Sequence, residues 1–210
     1  MHTRNVLSLL FLALILCFSV QAQTSAPAQA EARNDETNLE TQLYLIVGTN
    51  QEVDDSKLPS SLDPVVKQMR ATLPFKNYRL AATLINRVKN EGRLDLSWIG
   101  GPLASATGAA STVTPSFSQF KVRQVKLVQN SEGQQVVQMI GFHYGARIPI
   151  QTSPQVAANG TIAPAFNYEN TGLATDISMR ESEPVIVGTL NVGPSGDAII
   201  LVVSAKRTNK

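Results

Sequence analysis

The sequence AIILVVS, at residues 198–204, decides the fold class of this chain. It is apolar at successive rather than alternate positions, so a strand built from it buries both of its faces. Such a strand needs a neighbouring strand at each edge or a covering layer on each side. We therefore predict that residues 198–206 form a central or doubly covered strand.

Outward from this strand, alternation of apolar and polar residues predicts antiparallel hairpins. Val185–Val192 precedes the central strand across a short turn, and Gln119–Gln129 joins Gln134–Tyr144 through a turn that ends in Gly133. Leu173–Arg180 is expected to extend the last pair into a three-stranded meander. These strands have one apolar face each, which predicts that they are half-buried.

Residues 78–90 fit two patterns. With a period of two they form a strand, and with a period of 3.6 they form a helix that Gly92 could cap. We favour the strand, because Asn90-Glu91-Gly92 is typical of a hairpin turn and an alternating segment, Leu94 to Trp98, follows at once. A hairpin of these two segments is therefore expected.

One short helix is predicted near the start of the folded region. Asp63 would cap its N-terminus, Pro64 would occupy its first position, and Pro74 would end it. Its apolar stripe comprises Leu62, Val65, Val66, Met69 and Leu73. The predicted fold is α+β and predominantly β, with antiparallel hairpins or a meander forming a sheet or sandwich, in a single domain at residues 42–210.

The N-terminus is typical of an exported protein. A short segment with Arg4 precedes an uncharged apolar run, Val6–Val20, and Ala22 completes a small-residue cleavage site. Residues 1–22 are predicted to be a signal peptide and residues 23–41 a flexible leader, which implies an extracytoplasmic location, periplasmic or secreted. Cleavage would remove Cys17 and leave 188 residues without cysteine, with no stable membrane span.

Two long, nearly uncharged loops are predicted within the domain, at residues 100–118 and 149–172. The first has no charged residue, and the second has only Glu169. Loops of this length are uncommon in compact domains and are often functional or disordered.

The charge distribution is uneven along the chain. Residues 23–63 carry a formal charge of −6, residues 64–147 carry +8 and residues 148–210 carry −1. A basic middle segment could contact a polyanion. However, its bases are dispersed over strands without a nucleic-acid-binding motif, so a solvated face is the favoured interpretation and no nucleic-acid partner is predicted.

The sequence has few residues in patterns typical of catalysis or cofactor binding. After cleavage only His143 could serve a Ser-His-acid constellation, and alternation places it with Val137 and Met139 on one strand face. The acidic loop of Glu52, Asp54 and Asp55 lacks the ligand spacing of a calcium loop. We predict no metal and no cofactor.

Five aromatic residues are predicted to contact a partner. They lie at or near the two long loops, and large aromatic side chains contribute strongly to protein interfaces. These residues are Trp98, Phe117, Phe120, Phe166 and Tyr168. The alternative, for the three that flank the first loop, is that they anchor its ends to the core.

Pieces of the chain resemble secretin-type envelope proteins. Two features carry the resemblance. The first is the element order strand, helix, strand, strand near the start, and the second is Glu183-Pro184-Val185-Ile186-Val187-Gly188 followed by a strand at Ile199–Val203. The resemblance covers about a third of the chain and consists of β-sheet pattern, so it transfers no functional residue.

Together these features predict an exported, non-catalytic binding or assembly protein of the bacterial envelope or extracellular space. Its partner would be another envelope protein or a second copy of itself. The alternative is a small extracytoplasmic hydrolase that uses carboxylates or His143.

Overall fold

A computed structural model describes residues 37–52, 58–100, 114–152, 155–156, 162–163, 165–192 and 196–208. The predicted signal peptide and most of the predicted leader lie outside the described residues, as do Asp54 and Asp55. The described elements are, in chain order, β1 (Asn38–Thr49), α1 (Asp63–Thr72), β2 (Asn77–Lys89), β3 (Leu94–Gly100), β4 (Ser116–Gln129), β5 (Gln135–Gln151), β6 (Gln155–Val156), β7 (Ile162–Ala163), β8 (Phe166–Arg180), β9 (Val185–Val192) and β10 (Asp197–Arg207).

Eight of these strands form two antiparallel sheets. Sheet A has the order β2-β1-β10-β9, and sheet B has the order β3-β4-β5-β8, while β6 and β7 pair separately. Apolar residues of both sheets meet in one buried cluster. The fold is therefore a predominantly β, α+β sandwich, as the sequence predicts.

Strand β10 lies inside sheet A and is covered on both faces. Ile199, Leu201 and Val203 point to the cluster between the sheets. Ile200 and Val202 point the other way, to a second cluster beneath α1. This arrangement confirms the prediction from AIILVVS, since each face of the strand has its own apolar layer.

Helix α1 covers the outer face of sheet A. Leu62, Val65 and Met69 are buried against Tyr44 and Ile200, so the predicted apolar stripe is confirmed. The expected cap is wrong by one position. A 3₁₀ turn at Ser60–Leu62 leads into the helix. Leu62 is the N-cap residue, Asp63 is the first helical residue, and no side chain makes a capping hydrogen bond.

Helix α1 has 10 residues. In the described part of the chain no helix combines the length and the apolarity needed to cross a membrane.

Residues 77–89 are strand β2, which confirms the favoured interpretation of this segment, but the hairpin with β3 is wrong. β2 pairs with β1 in sheet A, and β3 pairs with β4 in sheet B, so the turn after Lys89 carries the chain between sheets. The Asn90 amide donates to the Thr37 carbonyl (2.9 Å), and the Glu91 amide donates to the Val125 carbonyl (2.8 Å). The turn is thus bonded to β4 of sheet B and to Thr37, the residue before β1 of sheet A.

The predicted meander of β8, β9 and β10 is wrong for the same reason. β9 and β10 form the expected hairpin, but β8 pairs with β5, and Glu181–Pro184 crosses between the sheets. Glu181 Oε1 accepts hydrogen bonds from the Arg207 amide (2.9 Å) and from Arg207 Nε (3.0 Å). These bonds hold the pKa of the Glu181 carboxyl below its usual range. The Glu181 amide donates to the Gln135 carbonyl (3.3 Å), so this residue ties sheet A to sheet B.

The hairpin of β4 and β5 is confirmed, and it contains a bulge that reorients His143. Between Met139 and Phe142, β5 advances three residues while β8 advances two. Gly141 has φ +65°, and its amide donates to Asp176 Oδ1 (2.6 Å). The extra residue inverts the alternation, so Met139 and Phe142 are both buried and His143 is exposed. The prediction that His143 shares a face with Met139 is wrong.

The predicted loops are shorter than expected where they are described. β5 continues to Gln151 and β8 begins at Phe166, so both ends of the predicted loop at 149–172 are strand. β4 begins at Ser116, inside the predicted loop at 100–118, and residues 101–113 lie outside the described residues.

Strand β1 begins four residues before the predicted start of the domain. Leu39 and Thr41 are buried, and Asn38 to Thr49 pair with β2. The last residues assigned to the flexible leader therefore belong to sheet A.

Candidate functional site

The outer face of sheet B carries a groove that runs across its strands. Three successive rows of residues, aligned by strand register, form it. The middle row is Trp98, Ser118, Ala146 and Thr171. In a pleated sheet the side chains of this row point inward when those of the two flanking rows point outward. The backbone of the middle row therefore forms the floor of the groove.

The flanking rows are the walls of the groove. One wall is Ile99, Phe117, Arg147 and Asn170. The other is Ser97, Gln119 and Gly145, and it is low because Gly145 has no side chain. The groove has a volume of about 600 Å³.

Two large apolar side chains of this groove are exposed next to each other. Ile99 is 68% exposed and Phe117 is 39% exposed, and they are direct register partners on β3 and β4. Among the described residues, one other large apolar side chain is exposed, that of Ile85 on sheet A, at 61%. An adjacent pair of this kind leaves apolar area in water that a partner could bury.

An aromatic and cationic cluster fixes one end of the groove. The rings of Phe117 and Tyr168 lie 5.8 Å apart, and the guanidinium carbon of Arg147 lies 5.4 Å from the Tyr168 ring centroid. The Tyr168 hydroxyl donates to the Pro115 carbonyl (3.1 Å), which holds the ring against the sheet. Stacking on Tyr168 therefore orients the Arg147 side chain.

The positive charge of Arg147 has no carboxylate partner among the ion pairs of the described residues. Those pairs join Lys121 to Asp95 (3.3 Å), Lys126 to Glu91 (3.8 Å), Lys206 to Glu40 (3.2 Å) and Arg207 to Glu181 (2.9 Å). Two lysines of the basic middle segment are thus neutralised locally. A solvated face stays the favoured prediction for that segment.

The structure brings together some of the aromatic residues that the sequence singles out. Phe117 and Tyr168 are in contact in the groove, and their role in binding stays a prediction. Phe166 is half-buried at the start of β8. Phe120 is 1% exposed and packs on Phe142 in the core (ring centroids 5.3 Å), so it is not accessible to a partner and this part of the prediction is corrected.

Trp98 also points inward. Its ring lies 6.4 Å from that of Tyr144, and it packs against the cluster between the sheets. The Trp98 side chain therefore serves the core, and its neighbour Ile99 takes the outward position that alternation in β3 provides. This corrects the prediction that Trp98 contacts a partner, although its backbone lines the groove.

Two residues of the groove are missed by sequence reasoning. Ile99 could have been found from the alternation of Leu94, Leu96 and Trp98, which leaves the next residue facing outward. Arg147 had no such signal, because its proximity to Tyr168 depends on the pairing of β5 with β8.

A second, smaller cleft of about 150 Å³ lies on the outer face of sheet A, beside the 3₁₀ turn. A chain of hydrogen bonds crosses it, from the Tyr44 hydroxyl to Gln42 and from Gln42 Nε2 to Glu40 Oε1 (2.9 Å). Gln42 and Lys206 hold the pKa of the Glu40 carboxyl below its usual range. These polar groups satisfy one another within the cleft.

The alternative catalytic function depends on His143 or on carboxylates. His143 is an exposed residue on the outer face of sheet B, where its register partner on β4 is Lys121. Burial raises the pKa of Tyr144 to about 12, so its hydroxyl stays protonated at neutral pH. Across the part of the chain that the structure describes, no group of three or more His, Cys, Asp or Glu side chains could hold a metal ion.

No protein-family model matches the sequence. No curated protein matches it either.

Several solved structures of secretins are similar to the chain at low identity. The secretin InvG of the Salmonella SPI-1 type III secretion injectisome has 10% identity and a TM-score of 0.31, with 83% of this chain and 65% of that chain covered. InvG from residue 176 to its end, in the open gate state, has 10% identity and a TM-score of 0.34, with 100% and 67% covered. The type IV competence pilus secretin PilQ of V. cholerae has 11% identity and a TM-score of 0.30, with 83% and 59% covered.

The chain spans 65%, 67% and 59% of the length of these three secretin chains. At these identities and TM-scores the similarity assigns neither a family nor a functional residue, so the function is argued from the groove.

Proposed function

We propose that this protein is an exported, non-catalytic binding or assembly protein of the bacterial envelope or extracellular space, and that it contacts a partner protein through the groove on sheet B. The N-terminal sequence supports the location, because Val6–Val20 and Ala22 have the pattern of a cleaved export signal. The partner is another envelope protein or a second copy of this chain.

The exposure of Ile99 beside Phe117 carries this proposal. Two adjacent apolar side chains on a sheet face bury area when a partner binds, at roughly 25 cal/mol per Å² of apolar surface. Aromatic residues and arginine are enriched where interfaces contribute most to affinity, and Phe117, Tyr168 and Arg147 form one such cluster. No observation on the described residues favours the alternative hydrolase.

Capture from the native envelope tests this function. The wild-type protein, the double variant Ile99→Ser/Phe117→Ser and the control Ile85→Ser are each cross-linked in cells, purified and compared by mass spectrometry. We expect one defined partner, or a defined oligomer, with the wild type and with Ile85→Ser. The double variant should recover it at least about tenfold less, which corresponds to about 1.4 kcal/mol of binding free energy lost from two central interface residues.

Thermal unfolding of the three proteins serves as the folding control, because both substitution sites are exposed. Equal recovery with the double variant would contradict the role of the groove. A wild-type protein that emerges alone and monomeric would contradict the binding function itself.

A further inference from the structure

We propose that the groove binds an extended segment of the partner that crosses the strands of sheet B and places a carboxylate on Arg147, two residues after a large apolar side chain. This inference rests on the proposed function and specifies the chemistry of the partner.

The length of the groove sets the conformation of the segment. The wall from Ile99 to Asn170 spans four strands, and neighbouring strands lie about 4.8 Å apart, so the wall is about 14 Å long. An extended chain rises about 3.3 Å per residue, so four or five residues fill it.

The spacing of the two recognition features sets the motif. The apolar contact is centred between Ile99 and Phe117, and Arg147 is one strand beyond Phe117. That centre therefore lies about 7 Å from the Arg147 row, given the spacing between strands. In an extended segment, side chains two residues apart are on the same side and about 6.6 Å apart. The expected motif is an apolar residue, any residue, then Asp or Glu.

The charge of Arg147 selects the acidic group. Its guanidinium is stacked on Tyr168 and is absent from the ion pairs of the described residues. A planar guanidinium can bind a carboxylate through two parallel hydrogen bonds. Its five donors allow this while the ring contact with Tyr168 is kept.

Polar groups along the groove favour a peptide over an acyl chain. Gln119 and Asn170 place amide groups on opposite walls, and Ser97 adds a hydroxyl. Gln119 Nε2 donates to Ser97 Oγ (3.5 Å), which leaves the Gln119 amide oxygen and the Asn170 amide for the backbone of a bound segment. An acyl chain would leave these groups without partners when buried.

Peptide titration followed by NMR tests the inference. The exported protein, labelled with ¹⁵N, is titrated with the acetylated and amidated heptapeptide Gly-Ser-Phe-Ser-Glu-Ser-Gly and with the same peptide carrying Gln in place of Glu. We expect saturable shifts at Ile99, Phe117, Asn170 and the Arg147 side chain. The Gln peptide should bind about 1.5- to fivefold more weakly, as expected for an ion pair in a partly exposed site.

Charge reversal provides the matched test. Arg147→Glu should invert the preference, so that the peptide with Lys in place of Glu binds more tightly than the Glu peptide. Arg70→Glu makes the same charge change at an exposed position of α1, away from sheet B, and should leave the preference unaltered.

The outcomes separate this inference from the proposed function. Equal binding of the Glu and Gln peptides in the groove would overturn the carboxylate motif while leaving groove binding supported. Absence of shifts at the groove residues with either peptide would overturn the inference, and the capture experiment would still decide the proposed function. Shifts at the same residues with phosphatidylcholine–phosphatidylglycerol vesicles, and none with peptide, would show a lipid surface instead.

Discussion

The outer faces of the two sheets differ in what covers them. On sheet A, Ile200 and Val202 lie beneath α1 in a closed apolar cluster. On sheet B, none of the described elements covers the corresponding face, and Ile99 and Phe117 are exposed there. Within the described residues, the sandwich therefore covers one outer face with its own helix and leaves the groove open on the other.

Substitutions on the covered and the uncovered face should differ most in their effect on folding stability. Ile200 is 0% exposed, so Ile200→Ala should lower the free energy of unfolding by about 2–5 kcal/mol through lost burial and a cavity. Ile99→Ala removes an exposed side chain and should change it by less than about 0.5 kcal/mol. Urea denaturation of both variants measures these values. A loss above about 2 kcal/mol for Ile99→Ala would mean that this face is covered within the chain.

The bulge in β5 is expected to determine how sheet B presents its outer face. Gly141→Ala places a Cβ at φ +65° and 3.0 Å from Arg123 Cβ, and it should cost about 1–2 kcal/mol. Gly100→Ala is the control, because a Cβ there meets its nearest atom at 3.8 Å. Urea denaturation should rank Gly141→Ala as clearly less stable. Equal stabilities would contradict the account of the bulge.

Removing the carboxylate of Glu181, where the chain crosses between the sheets, should have a smaller and pH-dependent effect on folding stability. Arg207 lowers the pKa of Glu181 in the folded state. A lowered folded-state pKa means that this stabilisation is fully present above the unfolded-state pKa, about 4.3, and is lost as the pH falls through the folded-state pKa. Glu181→Gln should therefore cost about 1 kcal/mol or less at pH 7, and the difference from wild type should shrink in acid.

Glu183→Gln, at an exposed position two residues along, provides the control for this pH series. Its stability should follow that of the wild type at every pH. A Glu181→Gln variant whose deficit is constant from pH 7 to pH 3 would contradict the role of the carboxylate.

Much of the fold follows from sequence because local pattern reports local burial. The continuous apolar run at Ile199–Val203 predicts a doubly covered strand, and alternation predicts the β4–β5 and β9–β10 hairpins. The crossings after Lys89 and Arg180 could not be predicted, because a turn sequence does not specify whether the next strand pairs with the previous one. Those choices depend on long-range contacts such as Glu181 with Arg207.

The groove was predictable only in part. Phe117 and Tyr168 were recognised as aromatic residues near loops, but their proximity arises from the pairing of β4 with β5 and of β5 with β8. The predicted role of Phe120 and Trp98 is wrong because proximity to a loop does not tell which face of a strand a residue occupies, whereas the alternation of Leu94, Leu96 and Trp98 does. The predicted face of His143 is wrong because the bulge at Gly141, two residues earlier, inverts the alternation.

Site-specific photocross-linking in intact cells tests the central claim most directly. A photoreactive benzoylphenylalanine is placed at position 99, or at position 85 on sheet A as the matched exposed control. We expect a discrete covalent adduct with one protein from position 99 and none from position 85. No adduct from position 99, or the same adduct from both positions, would contradict the claim that the uncovered face of sheet B binds the partner.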